Sequence, residues 1–152
     1  MYFRTHLIIT LFAILLLWGV IDSKIYFVLF AVLGTLAPDI DTRHSKLGKK
    51  SIFRPIQFFF NHRGPIHSVF FMCLICIPLY FWHPAIAFGF ALGYGLHLIA
   101  DSFTRMGIYL FWPYQKRFYW KIKTGGNVEF FIFVLLIIVC FLLVLSRFLH
   151  VF

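Results

Sequence analysis

Carboxylates are the scarcest chemistry in this chain: five Asp and Glu among 152 residues, against 14 Lys and Arg. Charged residues make up only 12%, about half the share of a water-soluble domain. A surface that poor in charge excludes an ordinary soluble globule. Three cysteines exclude a disulfide-built scaffold. Cys73-Leu74-Ile75-Cys76 has the spacing of a redox or zinc pair, but it lies in an apolar run, where free Cys packs as a small hydrophobe. There is no linker-like stretch, low-complexity tract or internal repeat, so residues 1–152 read as a single membrane-embedded domain. No small-x-small cleavage motif follows the first apolar run, which ends in Asp22-Ser23-Lys24. That run therefore reads as a retained transmembrane helix rather than a signal peptide.

What the chain has in abundance is apolar surface: 62% hydrophobic residues, including 22 phenylalanines. Five apolar segments can be drawn, at about 5–21, 25–37, 65–82, 84–103 and 128–149. The fold class is an all-α integral membrane protein of about five transmembrane helices. The second segment is the short one. Its 13 apolar residues cover roughly 20 Å as a helix, against a hydrocarbon core of about 30 Å. It either makes a marginal span or is re-entrant.

Charge placement bears on both partner and orientation. The formal net charge is +9, but the basic residues flank apolar runs, which points to anionic lipid headgroups and not to nucleic acid. If the second segment spans, all basic residues except Lys24 and Arg147 share one side, which the positive-inside rule makes cytoplasmic, with the N-terminus in and the C-terminus out. If it does not span, Arg4 and Lys24 exchange sides and the bias is equally strong. Only the five-span arrangement puts His6 on the side that carries Asp39, His62, His97 and Glu129. Tyr114–Lys123 mixes aromatic with basic residues, as an interfacial segment or an ordinary aromatic belt would.

Four of the five acids fall at one end of these segments, near histidines. Gly89, Gly93, His97 and Asp101 recur every four residues and form one stripe on a helix. The glycines allow close approach of a neighbouring helix. One turn apart at the stripe's end, His97 and Asp101 can ligate one metal or bridge two; the plainer alternative is a His–Asp pair joining helices. Pro38-Asp39-Ile40-Asp41 ends the second segment, where two acids oppose the helix macrodipole unless a cation relieves them. In His62-Arg63-Gly64-Pro65-Ile66-His67-Ser68, Pro65 opens a helix with His67 in its first turn. Arg63 and the exposed N–H groups beside it suit a phosphate oxygen. His6 and Glu129 open the first and fifth segments. Each is a poor signal alone, since solvation or the helix dipole explains it. Together, every segment brings a His or a carboxylate to one face.

The ordered set PDID, HRGPIHS, GYGLHLIADSFT with Gly107 and Trp112-Pro113, and the late Gly-Gly-x-x-Glu129 resembles the YdjM-like family of membrane-bound metal-dependent hydrolases. The resemblance runs from His6 to Glu129. It implies a small helical inner-membrane protein with a hydrolase-type metal centre. A looser similarity is to the zinc-dependent phospholipase C and S1-P1 nuclease group. There the chain departs, because the residue four before Glu129 is Gly125, so a second His-x-x-x-Glu is missing and one or two metals are expected instead of three.

These readings yield one expected mechanism. His6, Asp39, Asp41, His62, His67, His97 and Asp101 are the candidate ligands of a divalent metal, zinc first, with manganese or magnesium as alternatives. Seven ligands suit two ions and a bridging carboxylate. Glu129 or Asp41 is the candidate general base or acid. Arg63, Thr104 and Arg105 are the candidate contacts to a phosphoester of a lipid. The competing reading from another class is a metal or proton transporter using the same ligands. Transporters place such groups near the bilayer midplane, whereas these cluster at one end.

Overall fold

The computed structural model describes residues 1–41 and 65–151. Five α-helices carry the described fold: α1 Phe3–Leu17, α2 Lys24–Leu36, α3 Val69–Trp82, α4 Pro84–Ser102 and α5 Asn127–Val151. Short 3-10 turns at Trp18–Val20, Pro38–Asp41 and Pro65–His67 join or precede them. No strand occurs among the described residues. His62 and Arg63 lie outside them.

The expected segments match these helices, with one informative shift. The third begins at Val69 and not at Pro65, because Ser68 caps it: its Oγ accepts the Phe71 N–H at 3.2 Å. His67 consequently sits in a separate turn before the helix. Three helical stretches are long and apolar enough to cross a membrane: Phe3–Val20, Pro84–Ser102 and Asn127–Leu149. With 13 and 14 residues, α2 and α3 each reach only about 20 Å.

The glycine stripe does the packing expected of it. A Cβ at Gly93 would collide with the Ala31 carbonyl, one at Gly89 with that of Phe27, and one at Gly34 with that of Phe90. α2 and α4 therefore touch backbone to backbone, as only small residues permit. Beside that contact, Phe90, Tyr94, Leu98 and Ile108 form a buried apolar cluster that α3 covers with Val69, Phe71, Met72 and Ile75. By contrast α5 packs chiefly on α1, and only 11% of its spanning window is buried, against 56% for α4.

A buried hydroxyl pair joins the middle of α1 to the end of α2. Thr10 and Thr35 meet at 2.7 Å, both buried. Thr35 Oγ1 donates to the Ala31 carbonyl at 2.8 Å, so the Thr10 hydroxyl is the donor between the helices. The start of α1 lies beside the end of α2, because the His6 ring stacks on His97, which bonds the Thr35 carbonyl. The end of α4 and the start of α5 meet the same end of the bundle, through Asp101 and Glu129. α2, short as it is, returns the chain to the level at which α1 began.

Candidate metal centre

His97 is the pivot of that end. Its ring is buried, and Nδ1 lies 2.8 Å from the Thr35 carbonyl. A carbonyl only accepts, so Nδ1 carries the proton and Nε2 is left with its lone pair. Nε2 is buried and has no hydrogen-bond partner among the described residues. It faces two carboxylates: Asp39 Oδ1 and Asp101 Oδ2, each at 3.9 Å.

The other side chains close around this nitrogen. His6 from α1 is buried, with Nε2 3.4 Å from Asp101 Oδ1. Its ring stacks on His97 at 3.9 Å, nearly parallel at 8°. His67, fully buried, presents its ring edge-on to His97 at 5.5 Å. The Tyr94 hydroxyl donates to the Ile66 carbonyl and holds the His67 turn against α4. Asp101 Oδ1 also takes the Met1 amino group at 2.5 Å. Burial lifts the Asp39 carboxyl above its ordinary range, against the pull of His6 and His67. A cation would relieve that cost.

Two ligand triads result, His6–His97–Asp101 and Asp39–His67–His97, each with donor atoms within 4.8 Å of one another. His97 offers one nitrogen to both, because Thr35 occupies the other. The two triads therefore share a single His97 nitrogen. Donor separations of 3.4 and 3.9 Å are near the edge of about 3.4 Å that a tetrahedral zinc site with 2.0–2.1 Å bonds has. Imidazoles and carboxylates at these separations are a donor set that fits a divalent metal.

The remaining expected site residues fall elsewhere. Asp41 closes the turn that carries Asp39. Glu129, expected as a general base, is buried and its oxygens are engaged. Oε1 accepts the Tyr2 N–H at 2.6 Å and the Thr5 hydroxyl at 2.7 Å; Oε2 accepts the Gly125 N–H at 2.7 Å. It clips the start of α5 to the start of α1, and neither triad includes it. Thr104, expected to touch substrate, is buried, and its hydroxyl donates to the Asp101 carbonyl at 2.7 Å. Arg105 is exposed, and its Nε bonds the Lys121 carbonyl at 3.2 Å. Sequence reasoning missed Thr10, Thr35 and Tyr94. The signal available for Thr10 was a polar residue one turn after His6 in an otherwise apolar helix.

Helices long and apolar enough to span a bilayer, with a buried His/Asp cluster at one end, define a class: small helical membrane proteins with a candidate metal centre. The chain belongs to the YdjM family: the family model described as "YdjM inner membrane protein" matches residues 1–151. It is 37% identical to Inner membrane protein YdjM of Escherichia coli (strain K12) over 127 residues, 76% of this chain and 61% of the relative. The Shigella flexneri protein of that name matches with the same figures. Uncharacterized protein YvsG of Bacillus subtilis (strain 168) is 33% identical over 102 residues, 63% of this chain and 64% of that protein. The matches thus span under two thirds of these relatives' lengths. No solved structure matches.

Proposed function

We propose that this chain is a membrane-bound metal-dependent hydrolase that cleaves a phosphoester of a lipid at the cytoplasmic leaflet. The observation that carries the proposal is His97 Nε2, a buried lone pair facing two carboxylates and left unpaired by the described residues. A structural His–Asp pair would close to hydrogen-bond distance; 3.9 Å leaves room for an ion.

His97 would hold the metal with His6 and Asp101 or with Asp39 and His67. A divalent ion there supplies Lewis acidity toward a phosphoryl oxygen and a water acidic enough to lose its proton near neutral pH. Asp41, two residues beyond a ligand, is the general base in this reading, since the oxygens of Glu129 are engaged. Arg63 binds the phosphate oxygens of the substrate. The Thr35 carbonyl fixes the His97 tautomer, and the α2–α4 contact fixes the distance between them. The basic bias of the loops supports a cytoplasm-facing site.

The test is direct. The protein purified in detergent should carry about one zinc-like ion per chain, counting the ligands above as one site. It should hydrolyse members of a phospholipid and phosphoester panel, with both properties lost in His97→Ala and Asp101→Asn. Metal-free wild-type protein would sink the reading. Full metal occupancy with no turnover, together with metal flux in proteoliposomes, would replace it by transport.

A further inference from the structure

The segment between α4 and α5 is a built surface as well as a connection. From Ser102 to Val128 it contains no acid, and it carries Arg105, Lys116, Arg117, Lys121 and Lys123. Backbone bonds between its two limbs hold it: Arg105 N–H to the Ile122 carbonyl at 2.9 Å, Trp120 N–H to that of Thr104 at 3.1 Å, and a reciprocal pair between Ile108 and Phe118 at 2.9 and 2.8 Å. Ile108 and Thr104 point inward and are fully buried. Phe111, Tyr114, Tyr119 and Trp120 point outward and are each more than half exposed.

Two further features set what this surface can bind. Lys116 and Arg117 lie over the rings of Phe118 and Tyr109, each cation 5.9 Å from the ring centre, so charge and aromatic face are interleaved. The segment also joins the ends of two membrane-length helices, α4 and α5, which puts it at headgroup level. Exposed rings at that depth fit the boundary between headgroups and acyl chains. Five cations beside them, in a segment without an acid, fit phosphate.

We propose that residues 103–123 form a docking surface for anionic lipid headgroups in the leaflet on the metal-centre side. The surface is fastened to the centre at two points. Thr104 donates to the Asp101 carbonyl, and Val69, two residues after His67, donates to the Leu110 carbonyl at 2.9 Å. A lipid held there sits next to the elements that carry Asp101 and His67. The inference stands on charge, exposure and placement, and does not require the centre to be hydrolytic.

The experiment uses the full chain in zwitterionic bilayers. Trp18→Phe and Trp82→Phe remove the far-end tryptophans and leave Trp112 and Trp120 as reporters. Trace brominated phosphatidylglycerol or brominated phosphatidylcholine is the quencher. The anionic lipid should show an apparent association at least about fivefold stronger than the zwitterionic one, the factor one favourable surface charge supplies. The preference should fall toward one with Lys116→Gln, Arg117→Gln and Lys121→Gln combined, and should weaken with salt. Unchanged helical circular dichroism establishes that the triple variant is folded; if it is not, the salt dependence of the unsubstituted reporter decides. Equal quenching by both lipids overturns the proposal. Quenching by neither also overturns it, and indicates that protein covers the surface.

Discussion

The two ends of the bundle hold similar residues and do different things with them. At the far end, Asp22, Ser23 and His83 line a cavity of about 450 Å³ with Phe27 and Phe88. His83 is half-buried against the Tyr26 ring at 5.2 Å, and Asp22 is exposed. At the other end, His6, His67, His97 and Asp101 are buried and fall into two triads that share His97. A histidine near an acid is therefore weak evidence by itself. Burial and mutual proximity of several ligand-type side chains are the informative property, because taking such groups out of water is costly.

The sharpest way to break this contrast is to delete a histidine at each end. His97→Ala should lower metal affinity by more than the 10–100-fold typical of outer-shell losses. His83→Ala should leave it within about twofold, as expected of a residue outside the ligand set; metal titration in detergent reads both. Next in size is backbone packing. Gly93→Val drives a side chain into the Ala31 carbonyl and should cost about 3 kcal/mol or more in thermal unfolding. Gly19→Ala, with nothing within 4 Å, should stay within about 0.5 kcal/mol.

Smaller effects sharpen the site end itself. Glu129→Gln separates a clip from a base. As a clip it should cost about 1–2 kcal/mol of stability while turnover falls less than tenfold, short of the 10²–10⁴-fold typical of a lost general base. Thr10→Val removes the α1–α2 bond and should cost about 0.6–1.7 kcal/mol, with a metal-affinity loss of about tenfold as His6 loosens. A labelling experiment in a cysteine-free background checks the shared end: a cysteine at the exposed Arg4 should react from the same side as one at Lys49. Opposite sidedness would dismantle the five-span arrangement.

The helices and the stripe were legible because period and length write them into the residue order. Gly89, Gly93, His97 and Asp101 announce a close-packed face with chemistry at its end, and the α2–α4 contact uses them that way. The convergence of His6 with Asp101 was legible only as a conditional, tied to α2 crossing the bundle. Other parts left no trace in residue types. The acceptor that sets the His97 tautomer is a backbone carbonyl, which any residue at position 35 would supply. Glu129 reads alike as a base, a ligand or a dipole partner until its three donors are seen. The limbs of 103–123 lack the alternation that marks strands and pair only through isolated bridges, so their pairing was invisible too.

The unequal helix lengths have a consequence for the lipid around the protein. α5 has 25 residues, roughly 37 Å of helix, while α2 and α3 have 13 and 14. The long helix matches a full bilayer, and the two short ones fall short of it by about 10 Å. Hydrophobic mismatch of that size draws headgroups inward beside the short helices. The Asp39 turn follows α2 and the His67 turn precedes α3, so thinning beside these helices should bring headgroups toward both turns. The protein would then shape its own entrance in the membrane, and thicker bilayers should oppose access to the centre more than thin ones.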